Sequence, residues 1–260
     1  GVYKVANQMS SAEALKAITD QSNRVEHTAL IREGISYVRA FEILSEVTGI
    51  PVEDFMNETK DLASFGIPAE APSIEGYLFP ATYIFPTDVS AHEVIKTMVD
   101  KMFSVLNEHG VAVEDRHKVL TMAGLIQREA GGNKEDFYKV SRVFQNRIDQ
   151  GWKLQSDASV SYGTGNTGTV WTTAADRADG SNLYNTYFHQ GLPIGPISLP
   201  GVWAIDAAQH PVDGPWMYFM AVDLRTGETG FAVTSSEHQS NVNKLANWCR
   251  VPDNAGYCGR

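Results

Sequence analysis

At 260 residues the chain is long enough to bury a sizeable core, as one large domain or as a medium domain with a small companion. With 43% hydrophobic and 20% charged residues it is neither disordered nor fibrous in composition. A net charge of −10 without a basic cluster argues against nucleic acid as a partner and leaves an uncharged polymer such as a sugar as the better fit.

No apolar run reaches the roughly eighteen residues that cross a bilayer, and no segment reads as a signal peptide, so a soluble chain is expected. Cys249 and Cys258 either close a small loop in an oxidising compartment or stay as two free thiols. Zinc and redox roles lack the necessary ligand spacing.

Residues 1–70 read as a small module of short elements. Ala29-Leu30-Ile31 has strand character, Ser36 is placed to cap a helix carrying Val38, Phe41, Ile43 and Leu44, and Gly49 ends it. Pro51 opens a second short helix. Turn formers from Gly66 to Pro72 set the expected boundary, so that residues 71–260 form the larger domain.

Prolines in the aromatic segment Glu75 to Pro86 exclude a central strand or helix interior. A helix is predicted from Ser90 to Asn107, and another from Asp115 to Ala130 with Met122, Leu125 and Ile126 on an apolar stripe that Glu129 continues. Gly131-Gly132 is expected to stop this helix and Asn133 to cap the next, which ends at Gly151. Leu154 to Gly201 is loop-rich, which suggests a binding surface. A hairpin follows, with the run from Trp216 to Val222 as a buried strand, and then a helix begun by the capping box Thr234-Ser235-Ser236-Glu237, with Val242, Leu245, Ala246 and Cys249 on its buried face. The expected class is therefore α+β.

Glu129 is the residue that stands out chemically. A carboxyl on an apolar stripe, in the last turn where backbone carbonyls carry partial negative charge, is pushed toward its protonated form. A protonated acid near neutral pH is what glycosidic bond cleavage needs. An ion pair with a basic partner across the corner, such as Arg147, that merely pins two helices together also explains the position, and periodicity alone does not decide against it.

Gly163-Thr164-Gly165-Asn166-Thr167-Gly168 matches a dinucleotide-binding pattern but lies in the wrong setting for it, followed by the β-prone Thr169, Val170 and Trp171. The histidines show no metal spacing and there is no nucleophile elbow, so neither cofactor nor metal is expected.

Four segments together carry a resemblance: Leu120 to Ala130, Glu75-Gly76-Tyr77-Leu78-Phe79-Pro80, Gln155-Ser156-Asp157 and Tyr184-Asn185-Thr186-Tyr187. In these the chain resembles the YceG-like (MltG) endolytic murein transglycosylases. The resemblance implies that Glu129, the second glutamate of the family's Glu-Lys-Glu pattern, is the catalytic acid and base, while Gln127 replaces the first. Ala81, Ala158 and Leu199 are further departures from the family pattern.

The resemblance also implies a LysM-like module over residues 1–70 and a YceG-like catalytic domain over 71–260. Peptidoglycan glycan strands are the implied substrate and cell-wall synthases possible co-workers. It implies an extracytoplasmic location, the family's N-terminal membrane helix being absent from this chain. Gln155, Ser156, Asp157 and Tyr162 are candidates to bind sugar hydroxyls and N-acetyl groups, with Glu75 beside them; Tyr77 and Tyr83 could face sugar rings, Tyr184, Asn185 and Thr186 could wall a groove, and Asn146 could orient Glu129. Loop-closing hydrogen bonds are an equal alternative for each. A non-catalytic glycan-binding protein and a lysozyme-type hydrolase are the competing functions.

Overall fold

The computed structural model describes residues 2–166 and 172–258. Residues 167 and 168 of the glycine-rich run, and Thr169 to Trp171 after it, lie outside the described residues.

The chain begins with β1 (Val2–Tyr3) and α1 (Ser11–Thr19), whose capping box pairs Ser10 with Glu13. Next come β2 (Arg24–Leu30), α2 (Tyr37–Thr48) and α3 (Val52–Glu58). The Ser36 hydroxyl accepts from the Arg39 N–H to start α2, and Gly49, at φ +75°, ends it in the left-handed region that glycine adopts without strain. Phe41 of α2 stacks on Phe55 of α3 with ring centroids 5.3 Å apart.

The aromatic segment yields β3 (Thr82–Pro86) at the edge of an antiparallel sheet ordered β1-β2-β3. Pro86 terminates that strand, the place where a missing N–H costs no ladder bond. Ala29 faces Tyr83 in register, so a strand from before residue 70 pairs with one from after it. Gly76 sits at φ +82°, and a Cβ there would fall 2.5 Å from the Pro196 ring, which lets the loop at 196–198 close over the segment.

Helix α4 (Ala91–Glu108) buries Val94, Met98, Met102 and Val105. Helix α5 (Arg116–Glu129) is buried on every side from Leu120 to Ile126, where one apolar stripe was expected. The cause is a surround of partners: α9 (Val202–Gln209) and α6 (Lys134–Asp149) pack against it, and the Ser198 hydroxyl donates to the Gly124 carbonyl at 3.1 Å. The helix also stops before the glycines, since Ala130 is already extended.

The loop-rich stretch contains two short helices, α7 (Asp157–Gly163) and α8 (Ala174–Ala178). The C-terminal hairpin is β4 (Tyr218–Asp223) against β5 (Glu228–Ala232), with α10 (Ser235–Cys249) over β4. Strand β4 is half-buried along its length, not buried as its apolar sequence suggested, because two strands alone leave surface open to a cleft. On α10, Ala246 is exposed and Asn241 is the buried residue, a shift of the expected face. Cys249 and Cys258 form a disulfide, closing the small C-terminal loop.

Most of the buried apolar side chains form one cluster running from Ala29 to Ala207, in an α+β architecture.

Candidate active site

Glu129 is the last residue of α5, at the floor of a cleft of about 650 Å³. The α5–α6 corner, the start of α7 and strand β4 enclose it, with Tyr187, Tyr218, Phe219 and Met220 among the walls. The hairpin turn is held close to this corner: a Cβ on Gly131 would lie 2.7 Å from the Gly227 carbonyl oxygen.

The Ser156 hydroxyl donates to Glu129 Oε1 at 2.5 Å. Ser156 is fixed in turn, since it caps α7 and its N–H donates to Thr186 Oγ1 at 2.9 Å. Gln155, just before it, has φ +52° although it is not glycine, a strained backbone of the sort that persists where the surroundings over-determine it.

Burial is the largest influence on Glu129 and raises its pKa. The Ser156 hydrogen bond opposes this, the Asp157 charge adds to it, and Arg128 and the Ala158 N–H pull the other way; the net shift is upward. Although part of the side chain remains exposed, crowding by protein atoms replaces most of the carboxyl's hydration.

The helix-pinning alternative fails on geometry. Arg147 is buried and donates to the carbonyls of Met217, at 2.8 Å, and Leu154, at 2.5 Å. None of the ion pairs among the described residues involves Glu129.

Of the residues singled out from the sequence, Gln155, Ser156 and Asp157 line this cleft with Glu129. Glu75 and Tyr162 line a neighbouring cavity. Tyr77 has no exposed surface and its hydroxyl pairs with His117 Nδ1 at 2.9 Å, while Tyr83 is buried with its hydroxyl on the Phe79 carbonyl. Neither ring is open to a sugar, because both belong to the buried core.

Asn185 is likewise fully buried, its amide donating to the carbonyls of Asp176, Arg177 and Asp179 and accepting from the N–H groups of Tyr187 and Phe188. It holds the loop and has no capacity left for a ligand. Thr186 is buried and supports Ser156, Tyr184 packs edge-on against Tyr162, and Asn146 donates to the carbonyls of Gly214 and Trp216. Asn146 thus pins the hairpin's approach and does not touch Glu129. Gln127, at the departure from the family pattern, accepts from the Gly201 N–H at 2.9 Å and ties α5 to the start of α9.

Arg177, Tyr187, Tyr218 and His238 were not singled out. Arg177 pairs with Asp157 at 3.0 Å and lies 4.8 Å from the centre of the Tyr187 ring. Thr172 also donates to Asp157. Tyr187 was within reach of sequence reasoning, as the last residue of the Tyr-Asn-Thr-Tyr motif; Tyr218 and His238 reach the cleft from distant elements and carry no local signal, and Arg177 bears on it only through Asp157.

A helix-borne carboxyl whose pKa is raised by burial, in an open, aromatic-walled cleft, has the features of an acid–base site. The sequence model of the YceG-like family matches residues 1–244, and the chain belongs to that family. It is 36% identical over 181 residues to an endolytic murein transglycosylase of Bacillus subtilis, an alignment covering 66% of this chain and 48% of that protein. An endolytic murein transglycosylase of Streptococcus pneumoniae is 26% identical over 280 residues, covering 95% of this chain and 50% of its own. The chain thus spans about half the length of these curated relatives. A crystal structure of a YceG-like protein from Listeria monocytogenes superposes with a TM-score of 0.74 at 28% identity, covering 92% of this chain and 83% of that one.

Proposed function

We propose that this chain is the catalytic portion of an endolytic peptidoglycan lytic transglycosylase, with Glu129 as both acid and base. The observation that carries the reading is the Glu129 carboxyl, shifted toward its protonated form at the floor of the cleft and free of any ion pair among the described residues. The names of its relatives support the same substrate class.

In this mechanism Glu129 gives its proton to the oxygen linking MurNAc to GlcNAc as the bond to C1 breaks, leaving an oxocarbenium-like centre. The resulting carboxylate takes the proton from the C6 hydroxyl of the same MurNAc while that oxygen bonds to C1. The products are a 1,6-anhydroMurNAc end and a new GlcNAc end, no water is consumed, and Glu129 regains its proton. Since the nucleophile belongs to the substrate, a second carboxylate at fixed separation is unnecessary.

Ser156 orients the carboxyl, and Tyr187 and Tyr218 offer aromatic surface to the sugar rings. Residues 1–70 are assigned to a LysM-like module and 71–260 to the catalytic domain. The site of action is the extracytoplasmic face of the membrane, where synthases supply nascent strands.

The test incubates wild type and Glu129→Gln with uncrosslinked glycan strands and reads the ends by mass spectrometry. Anhydro ends from wild type and a loss of about 10²–10⁴-fold in the variant are expected. Equal product from both overturns the mechanism. Absence of product from both means a binding protein, and incorporation of labelled oxygen from water means a hydrolase.

A further inference from the structure

Helix α10 turns different faces to two different spaces. His238 and Val242 line the Glu129 cleft, whereas Glu237, Ser240, Asn241 and Lys244 line a separate groove of about 380 Å³, shared with Trp216 and Phe231. Spacings of four and three residues put Glu237, Asn241 and Lys244 on one side of the helix.

Asn241 marks this groove as a site. It is only 7% exposed, and its amide lies so close over β5 that a Cβ on Gly230 would fall 2.8 Å from Nδ2. Neither Oδ1 nor Nδ2 has a hydrogen-bond partner among the described residues, yet neither is sealed from the groove. An amide left unpaired at such burial is unfavourable. Its acceptor and donors match the N–H and C=O of a peptide unit.

The neighbouring groups narrow the ligand further. Trp216 and Phe231, with ring centroids 5.8 Å apart, offer apolar surface beside the amide. Lys244 is exposed and enters no ion pair among the described residues. Glu237 is occupied in capping α10, its Oε2 accepting from the N–H groups of Val233 and Thr234 at 2.8 and 3.0 Å. The charge left free at the groove is therefore positive, which favours a peptide that carries a carboxylate.

We propose that this groove binds the peptide branch of the polymer whose glycan strand occupies the Glu129 cleft. The identity of the ligand rests on the proposed activity. Such a branch supplies peptide units for Asn241, methyl side chains for the rings and a carboxylate for Lys244. It also has the reach: a helix with its side chains is about 10–12 Å across, and five extended residues span up to roughly 17 Å. The peptide is then held on one face of α10 while the sugar bond is cut beside the other, and strands that keep their peptides are preferred.

The experiment uses Glu129→Gln protein, which keeps strands intact, and measures its affinity for two probes: strands bearing stem pentapeptides, and the same strands stripped of them by an amidase. The ratio of the two affinities should be well above one. Adding Asn241→Leu should lower it about tenfold, and Lys244→Glu about threefold. Thermal melts establish that the variants are folded, and Lys60→Glu, an exposed change beyond α3, should leave the ratio unaltered. A starting ratio of one, tighter binding of stripped strands, or a ratio unchanged in Lys244→Glu overturns the proposal. Wild-type product analysis separates the two readings. Anhydro ends with a ratio of one leave the activity standing without the peptide site, and a ratio that falls in the variants without anhydro ends leaves the peptide site without the activity.

Discussion

The hydroxyl of Ser156 lies 2.5 Å from Oε1 of Glu129, and this bond is the largest influence opposing the burial that raises the Glu129 pKa. Ser156 comes from the N-cap of α7 and Glu129 from the C-terminal turn of α5, so the pair also ties the two helices together. Replacing Ser156 by Ala removes a bond that favours the ionised form, so the pKa of Glu129 rises further. Activity that needs the protonated acid falls as pH climbs through that pKa; the alkaline limb of the pH–rate profile should therefore move upward. The rate should drop about tenfold with the loss of orientation, and thermal stability by about 1 kcal/mol with the loss of the cap. A profile that stays in place would show that the hydroxyl does not tune the acid.

Arg177 is expected to act through Asp157. It pairs with that carboxylate at 3.0 Å, and Asp157 in turn raises Glu129 by charge repulsion. In Arg177→Gln the Asp157 charge is less compensated, Glu129 is pushed up again, and the alkaline limb shifts in the same direction as in Ser156→Ala. Arg177→Lys, which retains the charge, should restore most of the wild-type profile. High salt should shrink the difference between the variants, because the pair is partly exposed.

Glu75 links stability to pH. Its folded pKa is about 8, against an ordinary value of 4.5, so the native state holds a proton that the unfolded chain gives up between those values. Stability from this group is fully present below about pH 4.5 and declines as pH rises toward 8. Glu75→Gln should flatten the fall in melting temperature between pH 5 and pH 8. An equally steep fall in the variant would mean that other groups cause it.

Gly76→Ala tests the closure of the loop over the aromatic segment. The added methyl meets Pro196 at 2.5 Å and forces an L residue to φ +82°. A loss of about 2–4 kcal/mol is expected in denaturant unfolding, from strain and displacement of the loop. Gly110→Ala, also at positive φ but with nothing within 4 Å of its Cβ, should lose less, separating backbone strain from the collision.

Local chemistry explains most of what the sequence made legible. The limits of α2, α4, α6 and α10 follow from Ser36, Ser90, Asn133 and Thr234, because a cap is settled by a few neighbouring residues. The place of Glu129 on α5 was readable for the same reason, as one helical period sets it relative to Met122 and Ile126. The unpredicted β1 and β3 are stabilised by pairing with β2, a partner remote in sequence, and short strands carry little periodicity of their own.

Tertiary structure alone decided which polar and aromatic residues meet the cleft. Tyr77 and Tyr83 look like ring platforms in the sequence, and Asn185 like a ligand-binding amide, yet all three are used up inside the fold. Arg177 reaches Asp157, and the β4 wall reaches the Glu129 cleft, across stretches of chain that carry no local sign of it. The sequence by itself determined the helix ends and the carboxyl at one of them, since those depend on neighbours a few residues away. Exposure and hydrogen-bond capacity depend on what the rest of the molecule brings to the same place, and only the folded chain settles that.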